Sequence, residues 1–206
     1  VDTPVTGREH GSIPARLALA LSAAMTPALV ATATMALIVW RFETGWRAIG
    51  FFALMGAFGS VFGMALAVIR ARRKGVADVH IHERRDRPGF FAACAVAAAF
   101  GWGMLLVVGA SIGLLVFMGA YCVCLGVIAL TTLVSKPSVH CATMAAFTGA
   151  LLIVEPIGAV FAGAGLAALI WARLYRKRHT LAQCVFGIVI GAAIVAIAYL
   201  VWRQLA

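Results

Sequence analysis

The sequence predicts an all-α fold, a polytopic bundle of about six or seven transmembrane helices forming one domain over residues 1–206 behind a polar tail at 1–14. Two observations predict it. Apolar residues make up 64% of the 206 and charged residues only 12%, against about 45–50% and about 25% in soluble domains. A water-soluble fold of this size lacks the interior to hide so much apolar side chain, so the excess must face lipid. The apolar residues also fall into long runs separated by short polar breaks. None shows the strict two-residue alternation that a membrane barrel requires, which leaves helices as the spanning form.

The runs follow in order. Residues 15–40 make a first span, too long for the core of a cleavable leader, which is about 7–15 residues. Residues 46–69 make a second. A basic break at 70–88 carries Arg70, Arg72, Arg73, Lys74, Arg84, Arg85 and Arg87. Residues 90–134 are long enough for two spans, divided by a turn near 109–113. Ser135-Lys136-Pro137-Ser138 is the next break. Residues 140–171, interrupted by Glu155-Pro156, read as a tight hairpin of two short spans. A last basic break at 173–179 precedes a final span over 181–202. Small-residue stretches such as AVAAA, GAFGS and GAGLAA let helices approach closely in lipid. Trp40, Trp46, Trp171 and Trp202 lie at span ends, where aromatic belts form.

The parity of this order carries a consequence. Two crossings separate the 70–88 break from the one at 135–138, and two more separate that from 173–179, so all three reach one membrane face. With the tail, that face holds 14 of the 17 Lys and Arg residues, leaving Arg41, Arg47 and Arg203 opposite. The positive-inside rule places the basic face in the cytoplasm, as for a multi-pass protein of the plasma (inner) membrane. The same formal charge of +10 also suits an anion site at the bilayer surface or attraction to anionic membrane lipids. Nothing in it points to nucleic acid.

Two of the five histidines sit at these breaks: His140 opens a span after Lys-Pro-Ser-Val, and His179 ends a basic run. Arginine forks and a helix N-terminus near Ser138 suit phosphate oxygens, and two imidazoles can share nucleophile and proton-transfer roles. Cys94, Cys122, Cys124, Cys141 and Cys184 lie in or beside apolar runs and read as small fillers. His80 and His82 have no carboxylate or cysteine partner in a metal-like spacing, so no metal and no cofactor is expected.

Spacing adds a family. His80 to Pro88 reads H-I-H-E-R-R-D-R-P. Pro137-Ser138-Val139-His140 follows, and then Arg173, five residues, His179, three residues and Gln183. In order and interval this resembles the type 2 phosphatidic acid phosphatase superfamily of membrane lipid phosphatases, whose motifs are K-x6-R-P, P-S-G-H and S-R-x5-H-x3-D. The matching segments span residues 80–183. The resemblance implies that His179 is the nucleophile that becomes a phosphohistidine and that His140 is the general acid and base. Arg87, Arg173, Ser138 and the backbone at Val139 would bind phosphoryl oxygens, without a metal. The substrate would be a lipid or prenyl phosphate or diphosphate. The chain departs from the pattern at His80 for the lysine, which Arg84 or Arg85 could replace in charge. It departs again at Val139 for glycine, Ala172 for serine and Gln183 for aspartate. The competing expectation is a non-catalytic lipid-binding scaffold or a small transporter. A prenyl transferase would need acidic magnesium-binding motifs that are missing here.

Overall fold

A computed structural model of the chain describes residues 12–73 and 84–206. Within them the chain forms α1 (Ile13–Ala24), α2 (Pro27–Phe42), α3 (Gly45–Gly56), α4 (Phe62–Arg73), α5 (Arg87–Val107), α6 (Ile112–Val134), α7 (Val139–Val154), α8 (Pro156–Tyr175) and α9 (Leu181–Leu205). A π-helical turn at Ala57–Val61 joins α3 to α4 as one rod over Gly45–Arg73. That rod, α5, α6, α8 and α9 are each long and apolar enough to cross a bilayer. At most 39% of any of these five is buried, and the uncovered remainder is rich in side chains such as Val107, Phe161 and Val96 that belong in lipid.

The first expected span is corrected. Residues 15–40 do not form one straight helix: α1 and α2 meet at a 45° bend and make a sixth candidate span only as a pair. The cause is Thr26-Pro27. Proline lacks the N–H that a continuing helix needs, and Thr26 instead caps α2, its Oγ1 accepting from Leu29 N at 3.4 Å. α7, at 16 residues, is shorter than these candidate spans, and with α8 it makes the short hairpin expected over 140–171. The turn expected at 109–113 is present, with Gly109 at φ +68° between α5 and α6.

The core is shared by α2, α3, α5, α6, α7 and α9. On α6 the buried positions Leu114, Phe117, Met118, Leu125 and Ile128 recur at helical spacing. A smaller cluster of Val30, Met144, Ala162 and Leu169 joins α2, α7 and α8. The tightest contact is between α7 and α9. A Cβ at Gly187 would strike Ser138 O, and one at Gly191 would strike Ala142 O. These two glycines, four apart, form the small-xxx-small face that lets backbones touch.

The end bearing Arg41 and Arg47 is latched. Glu43 accepts from Ser111 N at 3.0 Å and from Arg47 Nε at 3.5 Å, while Arg47 donates to Gly109 O at 2.6 Å. Arg47 thus ties the α2–α3 turn to the α5–α6 turn. Glu155-Pro156 forms the expected hairpin turn, and Glu155 caps α8 by accepting from Gly158 N.

Candidate functional site

At the other end, three polar breaks fold onto one cavity of about 450 Å³. α5 starts there at Arg87. α7 starts there behind the Ser138 cap. α8 ends there, and α9 starts beyond Thr180. The N-termini of α5 and α7 therefore meet the cavity with their positive dipole ends.

Each side chain is held for a local reason. Asp86, just ahead of α5, pairs with Arg70 of α4 at 3.2 Å, which anchors the start of α5. Arg87 is buried and donates from Nη1 to Pro137 O at 3.4 Å, fixing the loop that carries Ser138. Ser138 Oγ accepts from Cys141 N at 3.5 Å, and Ser138 N donates to Gln183 O at 3.0 Å. The first intrahelical bond of α7 runs from Ala142 N to Ser138 O, so the amides of Val139 and His140 precede the helical ladder. His140 is 4% exposed and lines the cavity.

The last break turns sharply. Arg176 N bonds to Ala172 O, Lys177 N to Leu174 O and Arg178 N to Arg173 O, with Lys177 in the left-handed region at φ 50°. The turn brings Lys177, Arg178 and His179 over the cavity with Arg173. Arg173 is 6% exposed, and its Nε finds no hydrogen-bond partner among the described residues. A buried guanidinium N–H in that state is costly unless an anion meets it.

Gln183 sets the tautomer of His179. Thr180 N can only donate, and it points to Gln183 Oε1 at 3.3 Å. The same oxygen lies 3.1 Å from His179 Nδ1. Facing an acceptor, Nδ1 carries the proton and Nε2 keeps the lone pair. Burial, then Arg173, Arg87 and Lys136, pull the His179 pKa down to about 4, against a smaller opposing pull from Gln183. The ring is neutral at pH 7, the state a nitrogen nucleophile needs. Lys136, in the 135–138 break, is lowered by burial and then by Arg87, Arg178 and Arg173.

Because the folded pKa lies below the ordinary 6.5, the unfolded chain takes up the proton first on acidification. The stabilisation this confers is full above pH 6.5 and is lost as pH falls toward 4, by an amount of order 3 kcal/mol. Histidine NMR is therefore expected to show one ring neutral down to about pH 5 that disappears from spectra of His179→Gln. The same variant should flatten the acid slope of stability. A His179 ring that titrates near 6.5 would contradict the geometry.

The expected residues divide cleanly. Arg87, Ser138, Val139, His140, Arg173 and His179 come together at this end, with Gln183 behind His179. Arg85 is exposed in a short 3-10 turn and is not among the described residues that line the cavity, and the Arg84 side chain lies outside the described residues. His80 lies outside the described residues. Sequence reasoning gave Lys136, Lys177 and Arg178 no part in phosphate binding, yet all three line the cavity. Their place in the same three breaks was the available signal. Among the described residues the lining holds five Lys or Arg side chains, two histidines and no carboxylate.

Away from the charges the cavity turns apolar. Phe90, Phe91, Cys94, Leu125 and Ile128 form one side, and Thr26-Pro27-Ala28 brings the α1–α2 break to its wall. No family model matches the sequence, and no curated protein or solved structure is significantly similar to it.

Proposed function

We propose that the chain is an integral-membrane phosphohydrolase acting on a lipid or prenyl phosphate or diphosphate. One observation carries the reading. A neutral histidine oriented by Gln183 shares a cavity, free of carboxylates among the described residues, with a second histidine, two buried arginines and an apolar extension. The phosphate end takes a phosphoryl group with multiple negative charges, and the apolar end takes the tail beside it. The basic face lies toward the cytoplasm by the positive-inside rule.

In this mechanism His179 Nε2 attacks phosphorus while the P–O bond to the leaving group breaks. His140 gives its proton to the departing oxygen. Water then attacks the phosphohistidine, His140 takes the water's proton, and inorganic phosphate leaves with the Nε2 lone pair restored. Arg87, Arg173 and the first-turn amides of α7 stabilise the charge on the equatorial oxygens throughout. Because Gln183 is neutral, it orients the ring without the charge a carboxylate would add. That substitution also supports a second reading, an anion-binding lipid scaffold without turnover.

The test is phosphate release by the purified protein from a panel of alkyl, acyl and prenyl mono- and diphosphates, with and without chelator. Release that persists in chelator and is lost in both His140→Ala and His179→Ala supports the mechanism. Binding of the same panel with no release favours the scaffold.

A further inference from the structure

The apolar end of the cavity is closed by a partition centred on Tyr121. α6 lines it with Ile128, Leu125 and Tyr121, which descend one helix face over seven residues, about 10 Å. Below Tyr121 lies a second cavity of about 70 Å³, bordered by Met35, Phe117 and Cys124. Tyr121 and Thr143 border both, so they form the partition between the two. Tyr121 is fixed in that place. Its hydroxyl donates to Gly59 O at 2.7 Å in the π-helical turn. Gly59 has no room for a Cβ, because the Met35 methyl occupies that position, and Met35 Sδ is met by Ser60 Oγ at 3.8 Å. Met35, Gly59 and Tyr121 thus make a packed floor at roughly mid-membrane depth along α6.

The larger cavity, at about 450 Å³, must hold the headgroup as well as any tail. Pockets of about 300–1,000 Å³ enclose drug-sized ligands, so this one encloses a headgroup with one chain, and a second tail would have to lie outside it. We propose that Tyr121 is the floor that sets tail length, and that the site selects single-tailed phosphate esters whose chain ends against its ring. This rests on the phosphohydrolase reading for the identity of the headgroup. Removing the ring joins the two cavities and offers a longer chain further apolar wall, each additional buried methylene being worth about fourfold in affinity.

The experiment uses the full chain in lipid nanodiscs. Release of phosphate from n-alkyl phosphates of increasing length is measured beside binding of the matching n-alkyl phosphonates, which cannot be hydrolysed, with empty discs subtracted. In the wild type, affinity is expected to rise with length and then level off. Tyr121→Ala should move that limit several carbons longer, a gain of at least about tenfold for the long chains over the short. Tyr121→Phe keeps the ring and should leave the limit unchanged, while Leu125→Phe narrows the channel and should move it shorter. If Tyr121→Ala does not fold, Leu125→Phe decides. A length profile that neither variant moves overturns the proposal. Phosphonate binding with a length limit but no phosphate release would leave the floor standing and remove the phosphohydrolase reading, whereas no phosphonate binding at all removes both.

Discussion

Replacing His179 with alanine is expected to bring phosphate release to background, a loss of about 10⁴-fold or more, while the folded bundle and its binding of alkyl phosphonates persist. The size follows from the role. A nucleophile that forms a covalent intermediate cannot be replaced by the remaining donors, which only bind and polarise. His140→Ala should lose about 10²–10⁴-fold on an alkyl ester. The loss should shrink on an aryl ester, whose leaving oxygen departs without a proton. Gln183 separates orientation from charge. Its Oε1 serves both Thr180 N and His179 Nδ1, so Gln183→Ala frees the ring and should cost about 10–100-fold, the scale on which losing a histidine's orienting partner acts elsewhere. Labelled substrate, quenched rapidly, should leave acid-labile phosphate on wild-type protein and none on His179→Ala. Phosphate release that survives His179→Ala would sink the nucleophile assignment, whichever other variant lost activity.

The legibility of this site in the sequence has a physical basis. In a helical membrane protein, water-facing breaks are short and charged. Their parity alone decides which of them meet, and that brought Arg87, His140, Arg173 and His179 together before any packing was known. The Gln183–His179 contact was legible because four residues on a helix is one turn. Less was readable where a residue's task depends on direction. Lys136, Lys177 and Arg178 suit an outer membrane surface as well as an inner wall, and only the left-handed turn at Lys177 points that break inward. Thr26-Pro27 escaped because counting apolar residues over 15–40 treats a break as neutral, whereas the backbone does not. Tyr121 gave no signal at all. An aromatic residue in an apolar run becomes a floor only when the π-helical turn beside it offers a carbonyl.

The α7–α9 seam should be the part of the fold least tolerant of change, and the site depends on it. Gly187 and Gly191 face Ser138 and Ala142 with no space for a side-chain carbon, and the atoms in the way are backbone. A flexible side chain could swing aside, but a helix backbone can yield only by moving the helix. Gly191→Leu is therefore expected to destabilise the protein by about 3 kcal/mol, the upper end for overpacking, and Gly187→Val by a comparable amount. Gly163→Ala and Gly126→Ala are the controls. Both are helical with open space where a Cβ would go, so each should be neutral or add about 0.5–1 kcal/mol through reduced unfolded-state entropy. Thermal unfolding in mild detergent separates the pairs. The seam also carries function, because Ser138 N is held by Gln183 O and Gln183 holds His179. Displacing α7 from α9 pulls the start of α7, with His140, away from the nucleophile. In Gly187→Val protein that is still folded at low temperature, phosphate release should fall further than phosphonate binding. Equal losses in both would show that the seam supports the fold without setting the distance between the two histidines.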